Sequence, residues 1–327
     1  MPDPDPPKKK HRPFWRKRVR RSTAAGAHVP VLLAEVLRLI DPQPGHVVAD
    51  CTLGFAGHAL PLLERVGPAG LLVGLDLDPA NLEPAREKLS GTGNPFHLHH
   101  GTFAGLQTAL GEAGQWQVNA LLADLGMSSM QVDDRRRGFS FMRDGPLDMR
   151  MDPTRGPTAA DLLNTLPAAD LAAAFRDLGD EPRAEAVAVA VAAARPVTTT
   201  SQLRELIDRA APVQVLRGVG FPPERKQLLA PATRVFQALR MLVNREKPAL
   251  EQLLRALPQV LAPGGVAAVI GFHSGEDRLV KAAFRAGRRD GTYSAGSDDP
   301  VRPTPAERLA NPRSRSAKLR WVRRAGV

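Results

Sequence analysis

The sequence predicts an α/β fold, a doubly wound and mostly parallel sheet carrying an inserted helical subdomain. Three observations support this. Short runs at Val47–Ala49, Leu71–Leu75, Phe96–His100 and Val118–Ala123 alternate with helical stretches, the rhythm of an open sheet with crossover helices. The runs at 47–49 and 71–75 are apolar at every position, which suits parallel strands covered on both faces. The rhythm then stops at 126–156, where Gly, Asp, Arg and Pro crowd together, and no further core strand comes before Val266–Ile270. An irregular stretch of that length is usually functional or disordered.

Taken in order, residues 1–24 form a basic, proline-rich tail. Nine Lys and Arg face two Asp there, giving seven of the eleven net positive charges. Such a segment buries too little apolar surface to fold alone, and the reading is a disordered, solvated tail. Its alternative role is an RNA-steering arm, with Phe14 and Trp15 available for stacking on bases. A helix is predicted from Pro30, and the first strand, Val47–Ala49, leads into Asp50 at the strand–helix turn. Asp78–Pro79 reads as the cap and first residue of the helix after the second strand. Thr102 opens another helix, which runs to about residue 113.

From 157 to about 217 the pattern is helical and Ala/Leu-rich, with Thr158–Asp161 as a capping box in which Asp replaces Glu or Gln. Pro231–Asn244 is amphipathic. Its stripe of Thr233, Gln237, Arg240 and Asn244 is either a solvated face or the lining of a substrate groove. Helices at 247–261 and after Ser274 flank the fifth strand, residues 288–312 read as irregular, and SAKLRWVRR as a last edge strand. The division expected is a tail at 1–24, a sheet domain at 25–134 and 241–327, and a helical substrate-recognition subdomain at 135–240.

A net charge of +11 and a pI near 10.5 favour a polyanionic partner, nucleic acid before an acidic membrane surface. The single cysteine, Cys51, excludes an intrachain disulfide and points to a reducing, cytoplasmic compartment. No apolar run approaches the roughly 20 residues of a membrane span, and no signal-type apolar segment follows the N-terminal charges.

The chemistry concentrates in VVADCTLGFAGH at 47–58. A strand, an acid, a glycine-bearing turn and a helix start together build a nucleotide-shaped pocket at a strand's carboxyl end. Asp76 and Asp124 end the second and fourth strands, so three acids converge on one rim. Hydride transfer would need G-x-G-x-x-G to seat a pyrophosphate. No glycine stands two residues before Gly54, and three acids disfavour a phosphate. A cationic sulfonium cofactor, S-adenosylmethionine, is the better match. His97, His99 and His100 alternate faces with no adjoining ligand, so no metal is expected. Ser274 is not centred between glycines as a nucleophile elbow requires. Cys51 lies inside the cofactor turn, which argues against a cysteine nucleophile for C5 chemistry.

Several long motifs carry a resemblance. They are HVPVLLAEV (28–36), DLGMSSMQVDD from Asp124, RGFSF, DGPLDMRMD, TAADLLN, ARPVTTTSQL (194–203), PATRVFQALRMLVN (231–244), GFHSGEDRLVK (271–281) and NPRSRSAKL (311–319). Over roughly 28–321 the chain resembles the ribosomal RNA small subunit methyltransferase H family, also called MraW. The resemblance implies a class I, Rossmann-like methyltransferase fold. It implies S-adenosylmethionine-dependent methylation of the N4 amine of a decoding-centre cytidine in 16S rRNA, within the small ribosomal subunit. It also implies cofactor contacts from Ala56, Gly57, His58, Asp76, Phe103, Asp124 and Gln131. Asp76 would take the ribose, Phe103 would lie beside adenine, and Asp124 and Gln131 would face the methionine end. Asp124 is the candidate catalytic group orienting the acceptor amine, with Ser128 and Ser129 beside it. Phe139 or Phe141 would stack on the extruded base or anchor its loop. Gln237, Arg240 and His273 complete the candidate substrate set.

The chain departs from the family pattern where Phe55 and Ala56 replace glycines and Ala59 a hydroxyl residue. Gly275 replaces an apolar residue, and the helix after 179–181 lacks the usual arginines. The alternatives are a class I methyltransferase acting on another RNA, or an RNA-binding paralogue that has lost catalysis.

Overall fold

The computed structural model describes residues 29–212 and 230–326. The basic tail and the stretch from 213 to 229 lie outside that set. Seven strands, β1 (Val47–Asp50), β2 (Leu71–Asp76), β3 (Phe96–His100), β4 (Val118–Asp124), β5 (Leu261–Gly271), β6 (Tyr293–Gly296) and β7 (Lys318–Arg324), form one sheet. Its order is β3-β2-β1-β4-β5-β7-β6. The first five are mutually parallel and β7 is antiparallel to both neighbours. This is the doubly wound, mostly parallel sheet that the sequence predicted.

Period-2 alternation sorts the strand side chains onto two faces. Ala49, Val73, Leu75, Leu121, Ala123, Ala267 and Val269 pack on one core. Val48, Leu72, Ala120, Leu122, Ala268 and Ile270 pack on the other. Helices cover both cores, which is why these strands read as unbroken apolar runs.

A third core lies outside the sheet. It gathers Phe139, Leu147, Leu163, Phe175, Val187, Leu203, Ile207, Val235 and Leu239, from the irregular stretch and from the helices Ala159–Thr165, Ala168–Gly179, Ala184–Ala193, Thr200–Ala210 and Pro231–Val243. The last of these is continuous across the expected boundary at 240/241. The Thr158 capping box forms with Asp161 as read: Thr158 Oγ1 accepts from the Asp161 N–H at 3.1 Å, and Asp161 accepts from the Thr158 N–H at 2.8 Å.

Four local expectations change. The first helix spans Leu33–Ile40, not from Pro30, because Leu32 is left-handed at φ 57° and its N–H donates to Glu307. β5 begins at Leu261, upstream of the Pro263–Gly264–Gly265 break. Residues 262–265 bulge out between the pairings Val118↔Leu261 and Ala120↔Val266. β7 is not the edge strand; β6 lies outside it. Residues 288–312, read as irregular, hold β6 and the helix Pro305–Ala310.

Candidate functional site

Register sets the rim. Asp50 pairs with Gly74 and with Leu122, so Asp76 and Asp124 each stand two residues beyond it on the flanking strands. From β1 the chain winds outward to β2 and β3, then returns to β4 on the other side. The crevice at that switch is where such sheets bind ligands. A cavity of about 950 Å³ opens there. Its walls include the turn residues Thr52, Gly54, Phe55, Gly57 and His58, with Asp76, Phe103 and Asp124, Ser128 and Gln131, and Arg240, Glu246 and Glu276.

The turn is held by its acids. Asp50, 1% exposed, accepts from the Thr52 N–H and hydroxyl at 3.1 and 3.4 Å. The same hydroxyl accepts the Asp124 N–H at 2.6 Å, tying β1 to β4. Asp76 accepts from the N–H groups of Gly54 (2.7 Å) and Asp78 (2.8 Å) and from Asn81 Nδ2 (3.1 Å). A carboxylate offers about four acceptor sites, so Asp76, which lines the cavity, retains one while fixing the turn. Gly54 and Ala56 both adopt positive φ, 50° and 53°. A left-handed alanine costs roughly 1–2 kcal/mol where glycine would cost little. Ala56 is buried beneath the turn rather than on the cavity wall.

Burial pushes the Asp50 carboxyl up to about 7, with the Thr52 N–H partly offsetting it and Asp76 adding to it. Burial, with Asp50 and Glu276 nearby, raises Asp124 well above the carboxylate range. Asp76 is also raised by burial, against its three donors. The Cys51 thiol is raised well above its usual value by burial and Asp50. It stays protonated, which leaves no thiolate nucleophile in the turn.

Asp124 Oδ1 is buried without a hydrogen-bond partner, and Oδ2 lies 3.8 Å from His58 Nδ1, whose Nε2 bonds the Val31 carbonyl. A buried unpaired carboxylate oxygen is costly and calls for a ligand that donates or carries positive charge. A sulfonium and α-amino cofactor therefore fits this wall, and a pyrophosphate does not.

The remaining predicted residues divide. Ser128 lines the cavity and caps the helix Ser129–Asp133, accepting from the Gln131 N–H at 3.3 Å. Ser129 is that helix's first residue. Gln131 lines the cavity, but its amide is engaged: Oε1 accepts from the Ser128 N–H and Nε2 donates to Asp78 at 2.8 Å. Phe139 is 7% exposed in the insertion core, and Phe141 packs edge-on to Phe236 at 5.1 Å with Arg204 over its ring. Neither lines the cavity, so the geometry takes the loop-anchoring side of their two readings. Gln237 and His273 do not line the cavity either. His273 Nδ1 accepts from the Gly275 and Glu276 N–H groups and caps the helix Ser274–Arg289.

Some long-range contacts behind the site escaped the sequence. Asp78 takes Gln131 and Arg137 (2.9 Å) on one oxygen, joining the turn after β2 to the irregular stretch. Asn244 bridges the same stretch, accepting from the Met151 N–H and donating to the Met149 carbonyl. Such pairs lie 53 to 95 residues apart and leave no local signal. His97 and His99 do share a carboxylate, Glu112, at 3.2 and 2.8 Å. They stand two apart on one strand face, and the helix Leu106–Glu112 delivers its last residue to them. Among the described residues no group of three or more His, Cys, Asp or Glu could hold a metal ion, and no helix is long and apolar enough to cross a membrane.

Comparison with known proteins identifies the family. The family model described as the MraW methylase family matches residues 25–325. Three similar proteins share the name ribosomal RNA small subunit methyltransferase H. The one from Synechococcus sp. is 45% identical, covering 91% of this chain and 92% of its own. That from Syntrophotalea carbinolica is 44% identical over 91% and 98%. That from Acidobacterium capsulatum is 41% identical over 90% and 97%.

Proposed function

This chain belongs to the MraW methylase family, and from that premise we propose that it methylates the N4 amine of a cytidine in the decoding centre of 16S rRNA. S-adenosylmethionine supplies an electrophilic methyl group on a sulfonium. Gly57, His58, Asp76, Phe103 and Gln131 would hold that cofactor, Asp76 taking the ribose with its remaining acceptor site. The relatives' shared name supports small-subunit RNA as substrate, and the +11 charge supports a polyanionic partner. The insertion at 135–240 is read as the substrate-recognition subdomain, and the site of action as the cytoplasm.

The observation that supports an amine acceptor best is the Asp124 carboxyl on the cavity wall, partly exposed and with an oxygen that no described residue satisfies. The cytosine amine is a poor nucleophile because its lone pair is delocalised into the ring. An acceptor on an amino hydrogen helps the nitrogen pyramidalise while the walls hold it in line with the methyl group. Asp124, with Ser128 beside it, fills that role. The proton leaves the nitrogen after transfer, and Asp124, ionised beside the cationic cofactor, accepts it.

The test is radiolabelled methyl transfer by the full chain to bare 16S RNA and to assembled small subunits, with the product nucleoside identified by mass spectrometry. N4-methylcytidine is expected. A different methylated nucleoside, or no transfer to either substrate, overturns the reading.

A further inference from the structure

Arg240 has no task in holding the cofactor, yet it is almost fully buried in the cavity wall. The other cationic wall residues are engaged elsewhere or not held in one direction. Arg278 is paired with Asp180 at 3.1 Å, and Arg313 with Asp133 at 3.4 Å. Lys88 lies over the Phe55 and Ala56 carbonyls. Lys247 has no hydrogen-bond partner among the described residues, but its charge sits on a flexible four-carbon stem.

Arg240 is different because it is pre-aimed. Its Nε and Nη2 donate to the two oxygens of Glu246, both at 2.7 Å. That fork fixes the guanidinium plane and leaves Nη1 with no hydrogen bond to the described protein. Nη1 is not one of the sealed, unpartnered atoms of the interior, so it opens on the cavity that the side chain lines. Asp124 pairs with Ile270 in the sheet, Glu276 accepts from the Phe272 N–H two residues further on, and Arg240, Glu276 and Asp124 all line the cavity.

That region therefore offers an acceptor, the partly exposed Asp124 carboxyl, and an unpaired two-proton donor, Arg240 Nη1. The edge of an aminopyrimidine is complementary, with an amino donor followed by a ring-nitrogen and a carbonyl acceptor. A uracil edge would set its carbonyl against the carboxyl group and its ring N–H against the guanidinium. Resting on the function above, we propose that Arg240, held by Glu246, donates from Nη1 to the ring-nitrogen edge of the acceptor cytosine and so sets base specificity.

The test uses small-subunit RNA with cytidine or 3-deazacytidine at the methylated position; the deaza base lacks the ring acceptor. Single-turnover methyl transfer is compared for the wild type and for the double variant Arg240→Gln/Glu246→Gln, which replaces the ion pair by two neutral amides. A hydrogen bond to a charged donor predicts that the wild type is slowed roughly ten- to a hundredfold by the deaza base. The double variant, slower on cytidine, should treat the two RNAs alike within about twofold. Wild-type discrimination retained in the variant assigns Arg240 a structural role only and overturns the proposal. So do equal wild-type rates on the two RNAs, which decide the matter even if the variant does not fold. The product is identified first. A product other than N4-methylcytidine removes the proposed function, whereas N4-methylcytidine made without deaza discrimination removes only the role of Arg240.

Discussion

Replacing Asp50 by Asn should make the cofactor-free protein more stable in alkali, by an amount the structure sets. Asp50 is buried beneath the turn, and its Oδ1 accepts two bonds, from the Thr52 N–H and hydroxyl. An asparagine carbonyl can accept the same two, so the substitution removes a charge and little else. The carboxyl is raised from 3.8 to about 7, chiefly by burial. Between those values the native protein holds a proton that the unfolded chain has lost, so stability falls as pH rises through the window. At about 1.4 kcal/mol per pH unit, the full cost is roughly 4 kcal/mol above pH 7 and nothing below the ordinary value. Between about pH 5 and 8, urea denaturation of wild type and Asp50→Asn should diverge by about 3 kcal/mol, the variant gaining. Parallel curves, offset by a constant at every pH, would refute a buried, proton-holding Asp50.

Asp76→Ala should abolish cofactor binding by calorimetry and also cost stability, because three donors in the turn lose their acceptor; unchanged affinity would sink the pocket assignment. His273→Ala should cost about 1 kcal/mol through loss of the cap, with His273→Asn restoring it and methyl transfer near normal in both. A turnover loss that His273→Asn fails to rescue would return His273 to the substrate. Deleting residues 1–24 should weaken RNA binding and flatten its salt dependence; an unaltered slope would leave the tail without a role in steering.

What the sequence made legible follows from short-range rules. Apolar runs ending in Asp50, Asp76 and Asp124 place three acids at the carboxyl ends of parallel strands, and the sheet order then brings them together. The box at Thr158 and the cap at Asp78 are equally local. What escaped depends on distance or context. β6 is only Tyr-Ser-Ala-Gly and exists by pairing with β7. The polar stripe of Pro231–Val243 with Asn244 reads as a solvated face or a groove; Arg240 and Asn244 do line the cavity, and the stripe also clamps the fold from within. Asn244 secures the Met149–Met151 loop, Gln237 reaches the Leu178 carbonyl, and only Arg240 keeps a nitrogen open. Phe139 sits among polar neighbours in the chain but among Leu147, Leu163 and Phe175 in space.

The most direct test of a methyl transfer centred on Asp124 sets two measurements on the Asp124→Ala variant side by side, namely cofactor affinity by calorimetry and single-turnover methylation of small subunits. The site predicts a folded protein that binds the cofactor within about tenfold of wild type while methyl transfer falls by roughly a hundredfold or more. Near-normal turnover would contradict it.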